Sequence, residues 1–335
     1  PTPDTMGRGI FILHAVTGDR VWRAQFGAGA ASANSCAGDP CVMTGMKWSV
    51  AADVTLVDRD YDGLIDRLYA ADTGGNIWRV DLQPDGTGAV STWQATLFAA
   101  LGGTGTTPRK FLSAPDVVPT RTYDVVVGIT GDREHPLVGN GANSIVNRFY
   151  MIKDTKVGNS ATGWRAVRDD TASNADNDPA SAFDPVPVRV TDTAPFNGTG
   201  PGFFVTLPGA GEKGVNSPTT VGGIVYFGTN RPITTTASCS ANLGEARAYA
   251  VNFLTGETTS TRLDGGGLPP SPVFGIVEVS VVGADGNTKQ RQLPFLIGGG
   301  GGSGGDGKSG LGAQKPDIKL QAPRRRTYWY REVDR

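Results

Sequence analysis

The feature that most constrains the fold is a polar run at residues 58–66, DRDYDGLID, which lies between two short apolar segments. The flanking segments, 54–57 and 68–71, are short and contain β-branched and aromatic residues. Segments of this length and composition are typical of strands rather than helices. The run is therefore predicted to be a loop that joins two β-strands.

The spacing of the carboxylates in this loop predicts a metal site. Aspartates stand at the first, third, fifth and ninth positions and a glycine at the sixth, which matches the front of an EF-hand-type calcium loop. Alternate side chains of a tightly curled loop point inward, and Gly63 permits the turn that aims the next carbonyl at the same centre. The predicted ligands are Asp58, Asp60, Asp62, the backbone carbonyl of Leu64, and Asp66.

Calcium is the expected ion because its ligands are hard oxygens, whereas magnesium resists such complete dehydration. The twelfth position, where an EF-hand places a bidentate glutamate, is Tyr69, so Asp66 is expected to complete the shell. The alternative is a polar turn without metal. Four carboxylates in this run repel one another, and Arg59 and Arg67 offset only part of the repulsion, so the sequence favours a bound cation.

The composition is that of a turn-rich β protein. The 335 residues suffice for one large β domain or two smaller ones, and 48 glycines and 22 prolines are spread along the chain. The 31 basic and 32 acidic residues give no bulk-charge signal for nucleic acid or a membrane surface. No apolar stretch approaches the ~20 residues of a membrane helix. The chain begins at Pro1 without a signal peptide, as expected of a mature product or a piece of a longer chain.

Similar hairpins recur along the chain, each with an apolar strand, a Thr-Gly or Gly-Gly turn, and a return strand. They lie at 9–26, 66–81 and 247–258, with a weaker relative at 147–155. Further strands are predicted at 90–97, 111–118, 123–130, 203–207, 219–228, 273–282 and 290–297, and at most one or two helical turns at 95–101. We therefore predict an all-β, quinoprotein-like β-propeller of about four or five blades, with N-terminal blades lying outside this sequence or some blades elaborated by loops. A tandem of Ig-like sandwiches is the alternative.

The predicted division is a propeller over 1–297, a Gly-rich linker over 298–312 and a C-terminal strand or tail over 313–335. The tail is expected to pair with a propeller edge or to dock on a partner. The acidic segment 174–178 lacks the turn glycine, so it is expected to be solvated, with a second calcium site as the alternative.

Cysteines and histidines give little sign of catalysis. Cys36 and Cys41 are predicted to form a small disulfide, the alternative being two reduced thiols, and Cys239 is left over. His14 is expected to be a hydrogen-bonded structural residue within a strand, and His135 an exposed loop residue. The sequence contains no nucleophile elbow, P-loop or zinc-protease motif. We therefore predict no catalytic residues, no bound organic cofactor and no enzymatic activity.

Three segments together resemble the C-terminal β-propeller of the PilC/PilY family of type IV pilus proteins. They are 58–79 (DRDYDGLIDRLYAADTGGNIWR), 216–229 (NSPTTVGGIVYFGT) and 325–332 (RRTYWYRE). The first, with the predicted calcium loop, is the specific one. The five predicted ligands all match the family's loop. The large N-terminal part of the family and the Arg-Gly-Asp tripeptide of some members are absent from this sequence.

The resemblance implies a secreted protein at the pilus tip or cell surface, outer membrane-associated or periplasmic in transit. It implies roles in pilus biogenesis, twitching motility, adhesion to host or abiotic surfaces, and virulence, with minor pilins as partners and calcium occupancy controlling pilus extension against retraction. Two alternatives stay open. One is a structural surface propeller with a purely stabilising calcium, and the other is a quinoprotein-type dehydrogenase, which would need adjacent cysteines or a cofactor-stacking aromatic residue.

Overall fold

β-Strands make up nearly all of the regular structure. The computed structural model describes residues 3–83, 88–103, 109–136, 142–158, 160–164, 166–169, 186–188, 196, 198, 200–233, 243–282, 288–298 and 313–314. In chain order the strands are β1 (Gly9–Leu13), β2 (Arg20–Phe26), β3 (Ser35–Ala37), β4 (Cys41–Met43), β5 (Thr55–Val57), β6 (Arg67–Ala71), β7 (Asn76–Asp81), β8 (Gln94–Ala100), β9 (Asp116–Pro119), β10 (Asp124–Ile129), β11 (Arg148–Asp154), β12 (Val167–Arg168), β13 (Val186–Val188), β14 (Gly202–Thr206), β15 (Lys213–Gly214), β16 (Thr219–Val221), β17 (Ile224–Arg231), β18 (Glu245–Asn252), β19 (Thr258–Leu263), β20 (Val273–Val282), β21 (Thr288–Ile297) and β22 (Ala313–Gln314). Two short 3-10 helices, Val90–Thr92 and Ala142–Ser144, accompany them.

The described strands form five sheets that follow one another along the chain, except that sheet 2 also takes in β3 and β12 from outside the run β5–β8. Sheet 1 has the order β1-β2-β4, and sheet 2 has β12-β8-β7-β6-β5 with β3 also paired to β8. Sheet 3 has the order β13-β14-β11-β10-β9, sheet 4 has β15-β17-β18-β19 with β16 also on β17, and sheet 5 has β20-β21-β22. Edge strands of sheets 2 to 5 contact one another in succession, β5 with β9, β9 with β16 and β16 with β20. The all-β prediction is confirmed.

The central sheets are buried on both faces. In β10, Val125, Val127 and Ile129 pack in the core shared with sheet 4, whereas Val126 packs in the core shared with sheet 2. Successive side chains of a strand point to opposite faces, so a continuous apolar run can serve two cores. Burying one such side chain stabilises the fold by about 1.5–3 kcal/mol. Sheet 3 therefore packs against sheet 2 on one face and against sheet 4 on the other.

Several predictions of local structure are wrong. The strand expected at 90–97 begins only at Gln94, after the 3-10 helix Val90–Thr92, and the strand expected at 111–118 begins only at Asp116. The helical turns expected at 95–101 are instead part of β8, where Ala95 and Leu97 pack toward sheet 1 and Phe98 toward sheet 3. The continuous strand expected at 219–228 is interrupted, because Gly222 and Gly223 have φ of 59° and 98° and form the tight turn between β16 and β17. Two adjacent residues with positive φ are typical of hairpin turns, and glycine adopts them without strain.

The predicted disulfide between Cys36 and Cys41 is confirmed, with the two Cα atoms 5.3 Å apart. Cys36 lies in β3, which pairs with β8 of sheet 2, and Cys41 lies in β4, which pairs with β2 of sheet 1. The bond therefore ties the two sheets together. Cys239, the acidic segment 174–178, residues 299–312 of the linker and the tail after residue 314 lie outside the described residues. No helix in the described part of the chain has the length and apolar character needed to cross a membrane.

We predict that reduction of this disulfide lowers the free energy of unfolding by about 2 kcal/mol, because the bond restricts a short loop in the unfolded chain. Thermal unfolding with and without dithiothreitol measures the change. A Cys36→Ala, Cys41→Ala variant is the control and should not respond to the reductant. A wild-type melting temperature that is unchanged by full reduction would contradict the prediction.

Candidate metal centre

The predicted loop is the connection between β5 and β6, as the sequence indicated. Its base is closed by a backbone hydrogen bond from the Asp66 N–H to the Val57 carbonyl, 2.9 Å. The Leu82 N–H donates to the Asp66 carbonyl at 2.9 Å, which fixes the last loop residue against the end of β7. The loop thus leaves and re-enters sheet 2 at a single, well-anchored point.

Three of the predicted ligands converge. One carboxylate oxygen from each of Asp58, Asp60 and Asp66 lies within 4.8 Å of the others. Calcium binds oxygen at about 2.3–2.6 Å, so oxygens up to about 5 Å apart can share one ion. Asp66 is buried, Asp58 is half-buried and Asp60 is exposed, so the three carboxylates extend from the protein interior to its surface. An all-oxygen group of three carboxylates fits a hard divalent cation.

The hydrogen bonds of Asp58 leave one atom without a partner. Its Oδ2 accepts the Gly63 N–H at 2.9 Å, whereas its Oδ1 is buried and has no hydrogen-bond partner among the described residues. A buried carboxylate oxygen without a donor is destabilising unless a donor or a cation reaches it. This atom is the structural observation that most directly fits a cation in the loop.

The remaining predicted ligands, Asp62 and the Leu64 carbonyl, lie on the exposed rim of the loop. Asp62 is outside the group of three, and its Oδ1 accepts the Leu64 N–H at 2.8 Å. Asp60 Oδ1 similarly accepts the Asp62 N–H at 3.1 Å, so these side chains curl the backbone through Asx-type turns. Gly63 has a φ of 92°, which satisfies the predicted need for glycine at the turn. Tyr61 also has a positive φ, 62°, which the sequence analysis did not anticipate.

Arg59 in the loop and Arg67 directly after it do not neutralise the loop carboxylates. Arg59 Nε donates to the two carboxylate oxygens of Asp124 at 3.0 and 3.3 Å, and Arg67 Nη1 donates to Asp124 at 2.8 Å. Asp124 belongs to sheet 3, and its burial raises the pKa of its carboxyl, with Arg67 and Arg59 opposing that rise. Within the described residues, the ion pairs involve none of the loop carboxylates. The repulsion expected from the sequence is therefore left uncompensated by side chains.

The sequence analysis missed Asp124, and no local signal identifies it. Its partners Arg59 and Arg67 are 65 and 57 residues away in the chain, so only the packing of two sheets brings them together. His14 is exposed and its Nδ1 lies 3.2 Å from the Thr17 backbone N within a turn, rather than inside a strand as expected. His135 Nδ1 lies 2.9 Å from Asp132 Oδ2.

Comparison with known proteins shows a likeness to a solved structure. No protein-family model and no curated protein matches the sequence. The crystal structure of the Pseudomonas aeruginosa PilY1 C-terminal domain is similar, with a TM-score of 0.53 and 15% sequence identity. The likeness covers 88% of this chain and 65% of that one, so the chain spans less than the full length of the structure it matches. At this identity the likeness concerns the fold alone, and the chain has a fold like that of the PilY1 C-terminal domain.

Proposed function

We propose that this chain is a calcium-binding module of a type IV pilus-associated protein. The observation that carries the calcium site is the convergence of Asp58, Asp60 and Asp66, together with the unpartnered Oδ1 of Asp58 in the described structure. The pilus association is supported by the likeness in fold to the PilY1 C-terminal domain and by the resemblance of segment 58–79 to the PilC/PilY family.

We propose further that the five sheets are blades of a β-propeller. Sheets 2, 3 and 4 each contain a series of antiparallel strands in which neighbours in the chain are mostly neighbours in the sheet. The succession of contacts from β5 to β9, β16 and β20 supports this arrangement, because radial repetition brings one edge strand of each blade close to that of the next. The calcium loop then joins the first two strands of one blade.

Calcium fits the loop better than magnesium does. Calcium takes 6–8 oxygen ligands in flexible geometry, whereas magnesium requires a near-ideal octahedron and retains most of its waters. A loop with one buried, one half-buried and one exposed carboxylate can supply part of such a shell, with Asp62, the Leu64 carbonyl and water as further donors. The disulfide between Cys36 and Cys41 supports an oxidising compartment outside the cytosol.

The wider roles in this proposal rest on the family resemblance. They are pilus biogenesis, control of extension against retraction, twitching motility and adhesion, with minor pilins as partners and the pilus tip or cell surface as the location. No catalytic role is proposed. The dehydrogenase alternative would need adjacent cysteines or a stacking aromatic residue, whereas the disulfide joins cysteines five positions apart.

We predict that the purified chain binds calcium and that an Asp58→Asn, Asp60→Asn variant does not. Asparagine keeps the shape of each side chain and an oxygen acceptor but removes the charge that attracts the ion. Isothermal titration calorimetry measures the affinity. Asp53→Asn, an exposed residue just before β5, is the matched control and should bind like the wild type. Absence of calcium binding by the wild type would contradict the proposed function.

We predict opposite effects of Asp60→Asn on thermal stability with and without calcium. In chelator the variant should melt at or slightly above the wild-type temperature, because one of three like charges is removed. In calcium it should melt below the wild type, which gains about 2.7 kcal/mol when free calcium is about 100 times the Kd. Differential scanning calorimetry makes the comparison. An equal loss of stability in both conditions would assign Asp60 a structural role instead.

A further inference from the structure

A buried group of charges lies directly behind the calcium loop, between sheets 2 and 3. We call it the inter-sheet ion network, and its members are Arg59, Arg67, Arg79, Asp81, Asp124 and Asp154. All except Arg59 are at most 1% exposed at the side chain, and Arg59 is 20% exposed. Three guanidinium groups face three carboxylates, so the network is charge-balanced without any contribution from the loop aspartates.

Sheet 2 and its loop supply the arginines, and sheet 3 supplies two of the carboxylates. Arg79 Nη1 donates to Asp154 Oδ2 at 2.6 Å, and Arg79 Nη2 donates to Asp81 within its own sheet at 2.6 Å. Arg67 Nη2 donates to the Gly158 carbonyl at 2.6 Å, beyond the end of β11. The Tyr69 hydroxyl also donates to Asp154, at 2.6 Å. The network therefore holds the two sheets together as well as balancing charge.

Arg59 connects this network to the metal centre. Its backbone N–H donates to Asp66 Oδ2 at 2.7 Å, which orients one candidate ligand. Its guanidinium is held by Asp124 and, through Nη2, by the Thr120 carbonyl at 2.8 Å. The second arginine on Asp124 is Arg67, the residue that directly follows Asp66. One carboxylate of sheet 3 thus anchors both ends of the loop.

Building on the proposed function, we propose that Arg59 and Asp124 are positioning residues of the calcium site, and that calcium occupancy is coupled to the contact between sheets 2 and 3. Without the Arg59–Asp124 pair, the Arg59 backbone is free to move and Asp66 loses its orienting donor. With the pair in place, Asp66 is already held where a cation meets it. Coupling between two sites is reciprocal, so calcium must also stabilise the Arg59 contacts on sheet 3.

The direction of the change in calcium affinity on removing Arg59 distinguishes a positioning role from a purely electrostatic one. Removing a positive charge next to a cation site strengthens cation binding if only Coulomb's law acts. A positioning role for Arg59 predicts weaker calcium binding after its removal. We expect Arg59→Ala to bind calcium about tenfold more weakly than the wild type, within the usual range of coupling between sites. Asp124 keeps its bond to Arg67 in this variant, so no buried carboxylate is left unpaired.

The affinity test uses calorimetry on Arg59→Ala, Arg59→Lys and a matched control. Lysine restores the charge and one donor but cannot bridge Asp124 and the Thr120 carbonyl as a fork, so it should recover only part of the affinity. The control is Arg20→Ala, which removes an arginine from an exposed ion pair with Asp39 and should bind like the wild type. Binding by Arg59→Ala that equals or exceeds the wild type overturns the proposal.

The reciprocal effect is measured by hydrogen exchange with mass spectrometry. In the wild type, calcium should slow exchange in peptides that cover β9, β10 and the turn between them, although these lie outside the loop. In Arg59→Ala at saturating calcium, protection should remain in the loop and be lost in those peptides. Protection confined to the loop of the wild type overturns the coupling while leaving the calcium site intact. A wild type that binds no calcium overturns the proposed function as well.

Discussion

Sheets 2 and 3 can pack together only if the charges buried between them are matched. Arg67, Arg79, Asp81, Asp124 and Asp154 are almost completely removed from water. An unpaired buried ion costs several kcal/mol, so each of these residues depends on the presence of the others. Burial raises the pKa of Asp81 and of Asp124, and in both cases the arginines oppose the rise. The ion network therefore fixes the relative position of the sheets more strictly than apolar packing alone would.

The need to match the buried charges separates the charged residues of the loop segment into an inner and an outer group. Arg59 in the run and Arg67 directly after it point inward, where they balance carboxylates of the network. The acidic residues of the run stay outside, where Asp58, Asp60 and Asp66 converge without a balancing side chain in the described structure. The alternation of aspartate and arginine along this segment therefore leaves the buried charges balanced and the outer carboxylates unbalanced. The divalent cation that we propose for the loop would supply the positive charge that the outer carboxylates lack, since the arginines serve the inner network.

The full extent of β20 was predicted correctly, although its apolar side chains Val273 and Ile276 are exposed. The prediction failed at 95–101, because a segment rich in alanine and buried on both faces shows no alternation. In the loop, spacing predicted five ligands, and the structure brings the carboxylates of Asp58, Asp60 and Asp66 together, whereas Asp62 as a ligand stays a prediction. The Arg59–Asp124 pair was not predicted, because spacing within a loop carries no information about a partner on another sheet.

The exposure of the two arginines indicates which part of this assembly can respond to calcium. Arg67 is completely buried and bonded to carbonyls beyond β11 as well as to Asp124, so its release would require the sheets to separate. Arg59 is partly exposed, and water can replace its contacts as it leaves. Under the proposed coupling, a change on calcium release that leaves the fold intact would begin at Arg59, the loop and the Thr120 carbonyl and would pass from there to β9 and β10. A calcium-dependent signal would leave the loop through that contact and reach the turn between β9 and β10 first.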